Sequence, residues 1–372
     1  MRLLGFELKK TLFSKKFLYI IIGVILAISF LFIRNVIFQS YIEKQEQEKV
    51  DEWLEVGFSN SKMHNGIVEA DPENEEEMNK LVLNSKSIDI LYNIRSNIGS
   101  DDWQVKLNLE NEFLTIILEY KEAKGDHPLT YQEINHKLAL NQELLAQNIP
   151  PEHETYSLAL PNFMKQVVDL FVNYGAILLV LLLIGETMSS EFESRSINLL
   201  FTQPLKRTDI ITSKFSSSII LYILTTLIMI VANYLIGLIF GDKGQFHYPI
   251  LMEKDTEINF MTLTEYITIA LIVVSLTMLF VIALTILYSL FIKNTLATTF
   301  AVLVTLVIGY GINTLITWDP ILWINPFQYL LPEETILFQN GHEWYQGIPI
   351  IFLVSFILYI IARQKIKTSK VD

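Results

Sequence analysis

Six apolar blocks, at about residues 17–33, 167–184, 215–240, 266–291, 296–317 and 348–362, limit what this chain can fold into. Each approaches or exceeds the roughly 20 apolar residues that an α-helix needs to cross a bilayer. Backbone facing lipid must satisfy its own hydrogen bonds, so helices are the expected form of each block. The last block is the shortest, and Pro349 sits at its start, where a proline in the first helical turn is tolerated. The chain contains no cysteine, which removes disulfide frameworks and thiolate metal sites.

Lys15 and Lys16 precede the first block in the manner of a signal peptide. No small-x-small cleavage site follows, and residues 34–38 continue the run, so a retained anchor is expected. With the N-terminus inside, the cytoplasmic segments hold 14 Lys and Arg, whereas the short outer loops hold only Lys243 and Lys254. Positive charge collects on the inner side, so a multi-pass cell-membrane protein with both termini cytoplasmic is expected.

The domain organisation follows from these blocks. Residues 1–38 carry an N-terminal amphipathic interfacial helix and the first span, residues 39–165 form an extracellular domain, and residues 166–372 hold the other five spans. A cytoplasmic loop at 186–214 and an outer loop at 318–346 lie within that last part. The fold class expected is all-α.

The 39–165 segment has 24 acidic residues against 11 basic ones, a balance of −13 that accounts for essentially all of the chain's −12. Phe113, Ile116, Ile117 and Tyr120 follow helical spacing, and so do Tyr131, Ile134, Leu138 and Leu145. Thr130 and Glu133 have the spacing of a capping box at the head of the second stripe. A mainly helical domain with hairpin-like pieces is expected. The acidic run 69–77 lacks the spacing and glycine of a calcium loop and reads as a solvated turn.

No metal site and no catalytic residues are expected. All six histidines fall in outer segments, and neither His153-Glu154 nor His342-Glu343 has the second histidine of a zinc-peptidase motif; they read as surface residues. The phosphate-cradling pattern G-x-x-x-x-G-K-[ST] does not occur in the chain. If the protein pumps, another subunit must hydrolyse ATP.

The polar stretch 189–214 interrupts two apolar blocks. Ser190 and Glu193 have capping-box spacing, Phe192, Leu199, Leu200 and Phe201 are apolar beside Glu191, Glu193 and Arg195, and Pro204 stops the helix. Thr208 and Asp209 then suit the start of the next helix. By its residues the stretch fits either a well-capped solvated turn or a compact cytoplasmic knob.

The segment from Glu191 to Lys214 resembles the first cytoplasmic loop of permease subunits of type-2 ATP-binding cassette (ABC) exporters. That loop has an acidic pair, a small residue, a Leu-Leu, a proline, a basic residue and a lysine opening the third span. Residues 6–10, with Leu4, Leu8 and Leu12 on one face, are similar to that family's interfacial helix, and residues 325–329 to its short re-entrant helices.

The resemblance implies a half-transporter. A second permease subunit, identical or similar, would face it in the lipid, and a cytosolic ABC ATPase subunit with ATP and Mg would dock on a coupling interface. Glu191, Phe192, Glu193, Arg195, Leu199, Leu200, Pro204 and Arg207 would form that interface. The chain itself would carry no cofactor, no nucleic-acid partner is expected, and an unidentified substrate would move outward. The alternative is a non-transporting sensor or immunity protein whose external domain binds a peptide. A secondary transporter is disfavoured, because the two halves are not repeated and Asp169 is the one clear acid within the spans.

Asn173, Asn233 and Asn313 lie within the blocks, where they either line a path or join helices by hydrogen bonds. Arg34 and Asp169 end and begin the two spans that flank the external domain, and an ion pair between them is expected.

Overall fold

The computed structural model describes residues 2–254, 257–313, 315, 324–339, 341 and 343–368. Thr317, His342, Lys370 and residues 318–323 of the expected outer loop lie outside the described residues.

Helix α1 (Arg2–Leu12) is followed by α2 (Lys15–Ala70), a 56-residue helix whose first free N–H groups are capped by Ser14. At 1.5 Å per residue α2 is about 84 Å long, against a hydrocarbon core of about 30 Å. It is therefore long enough to cross the membrane once and to continue for about 50 Å beyond it. The boundary expected at residues 38/39 falls inside this unbroken rod, so the first span and the following domain are mechanically one element.

In that domain α3 (Glu75–Ser96) packs along the distal half of α2, α4 (Trp103–Glu122) on α3, and α5 (Tyr131–Gln147) on α4. Its core holds Val50, Leu54, Leu91, Ile94, Phe113, Ile117 and Ile134, so both expected stripes supply core residues, although Tyr131 is exposed. Thr130 and Glu133 form the capping box at the head of α5. The acidic run ends α2, turns, and opens α3, where Asn74 caps the helix and Glu75, Glu76 and Glu77 lie at its positive end. Two histidines depart from the surface expectation: His64 and His127 are buried. His64 bridges Glu77 (2.7 Å) and the Tyr120 hydroxyl (2.7 Å), and a ring with both nitrogens bonded can be enclosed.

The second span is broken into α6 (Leu160–Leu170), a π turn (Phe171–Gly175) and α7 (Ala176–Ile184). Short α8 (Ser189–Glu193) and α9 (Ile197–Thr202) lead to α10 (Arg207–Phe240). The hairpin expected in the 39–165 segment lies elsewhere: β1 (Pro249–Lys254) and β2 (Glu257–Thr262) pair antiparallel between α10 and α11, with Ile250 opposite Met261. It is the one exception among the described residues to an all-α fold.

Helix α11 (Leu263–Ser289) is the centre of the bundle, with α14 (Gly347–Thr368) along one side and α7, α10 and α12 (Thr295–Asn313) around it. Its buried residues occur all round the helix, as a mean hydropathy of 2.9 without an apolar stripe requires. Between α12 and α14 come a 3₁₀ turn (Pro326–Tyr329) and α13 (Pro332–Ile336). Six helices are thus long and apolar enough to cross a membrane. The sixth extends further than residues 348–362, its last turn carrying Lys365 and Lys367.

Candidate coupling site

The connection between α7 and α10 is held to the bundle by charge as well as by apolar packing. Gly185 ends α7 where α12 passes: a Cβ there would lie 2.5 Å from the Leu181 carbonyl oxygen and 2.7 Å from Thr299 Oγ1. Only glycine permits that approach. Beyond it, Phe192, Leu200 and Phe201 pack on the bundle, while Leu199, Arg195 and Pro204 remain exposed. Arg195 takes a left-handed backbone (φ 58°) at the corner between α8 and α9, and the Arg207 guanidinium lies 4.4 Å from the centre of the Phe201 ring.

The capping expected here is not the capping found. Ser190 donates to the Glu186 carbonyl within its own turn, and Thr208 makes no side-chain cap for α10, which Lys206 opens. Glu193 turns away to α12, where its carboxylate accepts from Thr295 N (3.2 Å), Thr295 Oγ1 (2.8 Å) and Asn294 Nδ2 (3.2 Å). The physical reason is that α12 has no acidic residue in its own first turn, and Asn294 Oδ1 caps Ala297 N (2.9 Å), which leaves the Thr295 N–H to Glu193.

Glu191, unlike the exposed Glu193, is internal. It accepts from Lys214 Nζ at 2.8 Å and from Lys10 Nζ at 3.2 Å, and it is only 4% exposed. The fully buried Lys214 uses its ammonium on Glu191, on the Thr187 carbonyl (2.6 Å) and on Glu7 (3.3 Å). Three donors meet three acceptors, which is what makes a buried ammonium tolerable. One lysine on α10 thereby ties α1, the turn after α7 and α8 together.

Of the eight residues expected to face an ATPase, Glu191 is buried in the Lys214 junction, and Glu193 is exposed but bonded to the start of α12. Leu199, Leu200 and Pro204 line a groove of about 540 Å³ between α9 and α1, with Leu3 and Phe6 opposite. Sequence reading missed Glu7 and the junction role of Lys214. The signal available was a lone acid on the helix that also carries Arg2, Lys9 and Lys10.

The remaining candidates are not gathered into one site. Asn173 donates to Glu333 (2.6 Å) from the π turn, Asn233 on α10 to the Met164 carbonyl on α6 (3.3 Å), and Asn313 accepts from Asn325 (3.0 Å). The expected Arg34–Asp169 pair is not formed. Arg34 donates to the Thr155 carbonyl (2.7 Å) and to Asn35 (2.9 Å) and lies over Tyr156. Asp169 accepts from Lys165 one turn before it (2.8 Å) and from the Tyr266 hydroxyl on α11 (2.7 Å). Each charge found a partner nearer in chain or in space, so neither needed the other.

The family model described as ABC-2 family transporter protein matches residues 1–336. The chain belongs to this family. The match runs through the helical domain and ends in α13, so the domain lies within the family's matched region and α14 beyond it. No curated protein and no solved structure matches the chain. As an ABC-2 permease subunit it is the membrane transport part and not itself the ATPase. Such subunits generally work with a cytosolic ATPase.

Proposed function

We propose that this ABC-2 permease moves its substrate outward, driven by a separate cytosolic ATPase subunit that grips α8–α9, with a second permease subunit beside it. Both termini are then cytoplasmic and the helical domain is extracellular. The observation that carries the reading is the Lys214 junction. A push on α9 is transmitted through a buried ion network to α1 and α10, and through Glu193 to α12, without passing through a flexible linker. Coupling requires such an element, whose arrangements both the nucleotide state and the membrane part can bias.

The chain's lack of cysteine makes the test direct. Single cysteines at Thr202 and at exposed Tyr92 are labelled on intact cells with a membrane-impermeant maleimide. Labelling at 92 only is expected, and labelling at 202 would reverse the orientation. The partner ATPase should copurify with wild type and less with Leu199→Asp. Equal recovery would remove α9 as the docking element.

A further inference from the structure

A cavity of about 330 Å³ opens in the helical domain between α2, α4 and α5. Its charged and titratable groups are Glu46, Lys49, Lys106, Glu110, Lys137 and His153, and Val50, Trp53, Ile94, Ile98, Phe113 and Leu114 give it an apolar wall. Lys106 is neutralised by both oxygens of Glu46, each at 2.6 Å. Glu110 accepts from Asn141 at 3.3 Å.

That leaves Lys49 and Lys137. Their ammonium groups lie 5.3 and 5.6 Å from the centre of the same Trp53 ring. Among the described residues neither has a carboxylate within 4.0 Å, in a domain where acids outnumber bases by 24 to 11. Burial, and then the charge of Lys49, hold the Lys137 ammonium below the ordinary lysine value. Half-buried Lys137 is repelled by the exposed Lys49 and attracted by Glu110 and then Glu133, neither of which reaches it within 4.0 Å, and an anion placed between the two ammonium groups would oppose their repulsion. The indole is fixed by stacking on Phe113, with centroids 5.1 Å apart and planes at 22°. The volume is at the small end of the range for small-molecule sites and has room for about ten water-sized groups.

We propose that this cavity is a binding site for a small amphipathic anion, whose carboxylate or phosphate head bridges Lys49 and Lys137 while its apolar part lies against Trp53 and the wall of Val50, Ile94 and Leu114. Lys137 and His153 also line a second cavity, of about 380 Å³, that reaches Lys165 and Glu333 at the mouth of the bundle. The site therefore adjoins a passage toward the membrane helices. The inference holds whether or not α8–α9 grips a motor.

The test uses the full chain in lipid nanodiscs and measures binding of radiolabelled hexanoate, with hexyl phosphate, hexan-1-ol and inorganic phosphate as competitors. Hexanoate and hexyl phosphate should compete with each other, and their relative strength tells a carboxylate site from a phosphate site. Hexanol and inorganic phosphate should each be at least about tenfold weaker, the equivalent of one lost charged or apolar contribution. Lys49→Gln with Lys137→Gln should weaken hexanoate binding by about tenfold or more, in a variant whose cooperative melting shows that it is folded. Lys49→Arg with Lys137→Arg should retain binding. Equal competition by hexanol overturns the anion requirement, and equal competition by inorganic phosphate overturns the apolar one. Unchanged binding in the double glutamine variant, or no hexanoate binding to wild type, overturns the site.

Discussion

Lys214 Nζ and Glu191 Oε1 are 2.8 Å apart with both side chains closed off from solvent, and they join the third span to the connection that precedes it. Removing one partner of such a pair leaves an uncompensated charge and costs about 3–5 kcal/mol, whereas replacing both by apolar groups costs far less. Lys214→Met and Glu191→Leu should therefore each lower stability strongly, and the double variant less than the sum, in chemical denaturation of the detergent-solubilised protein. A double variant as unstable as the two changes added together would mean that the ions do not act as a pair.

Glu193 makes a different kind of bond, as an acceptor for the first residues of α12 from a helix about a hundred positions earlier. Loss of such a cap costs about 1 kcal/mol. Glu193→Ala should show that loss, and Asn294→Asp in the same chain should restore most of it by placing a carboxylate at the start of α12 itself. If the second change restores stability but transport stays impaired, Glu193 also carries motion between α8 and α12. Failure of Asn294→Asp to restore stability would remove the capping role.

What could be read in advance divides along a physical line. The spans were legible because a bilayer imposes length and apolarity on every crossing helix, and the Thr130–Glu133 cap was legible because both partners lie within one turn. Ser190 and Glu193 have the same spacing, yet Glu193 went to Thr295 and Ser190 to its own turn. A local pattern does not reveal a distant competitor with unmet donors. Nor does it reveal pairing across the fold: Glu7 and Lys214 are 207 positions apart and meet only once α1 has packed on α10. The continuity of α2 through residue 38 was hidden because the apolar pattern stops at the membrane boundary while the helix does not.

Asp169 and Tyr266 form the contact that replaces the expected pairing with Arg34. Asp169→Asn and Tyr266→Phe should be non-additive by roughly 0.5–3 kcal/mol in a double-mutant cycle, while Asp169→Asn and Arg34→Gln should add to within about 0.5 kcal/mol. The measurement is unfolding of wild type, the three single and the two double variants in one detergent. Coupling of Asp169 to Arg34 and none to Tyr266 would contradict the arrangement found.

His127 gives the helical domain a pH dependence of known sign. Its ring is buried beside Trp53 and Phe113, and Nδ1 accepts from Leu129 N at 3.2 Å. Burial first, and then the nearby charge of Lys121, depress it from 6.5 to about 4, against the opposing pull of Asp126. The folded state holds the neutral ring, so its contribution is fully present above pH 6.5 and is lost as pH falls toward 4, where the unfolded chain has already bound a proton. One such group gives a slope of at most about 1.4 kcal/mol per pH unit in that window. Glutamine in its place can still accept from Leu129 but cannot titrate. Melting of the full chain followed from pH 7 to 4.5 should therefore fall more steeply for wild type than for His127→Gln, the two curves converging toward the acid end. Parallel curves would place the proton uptake on other groups.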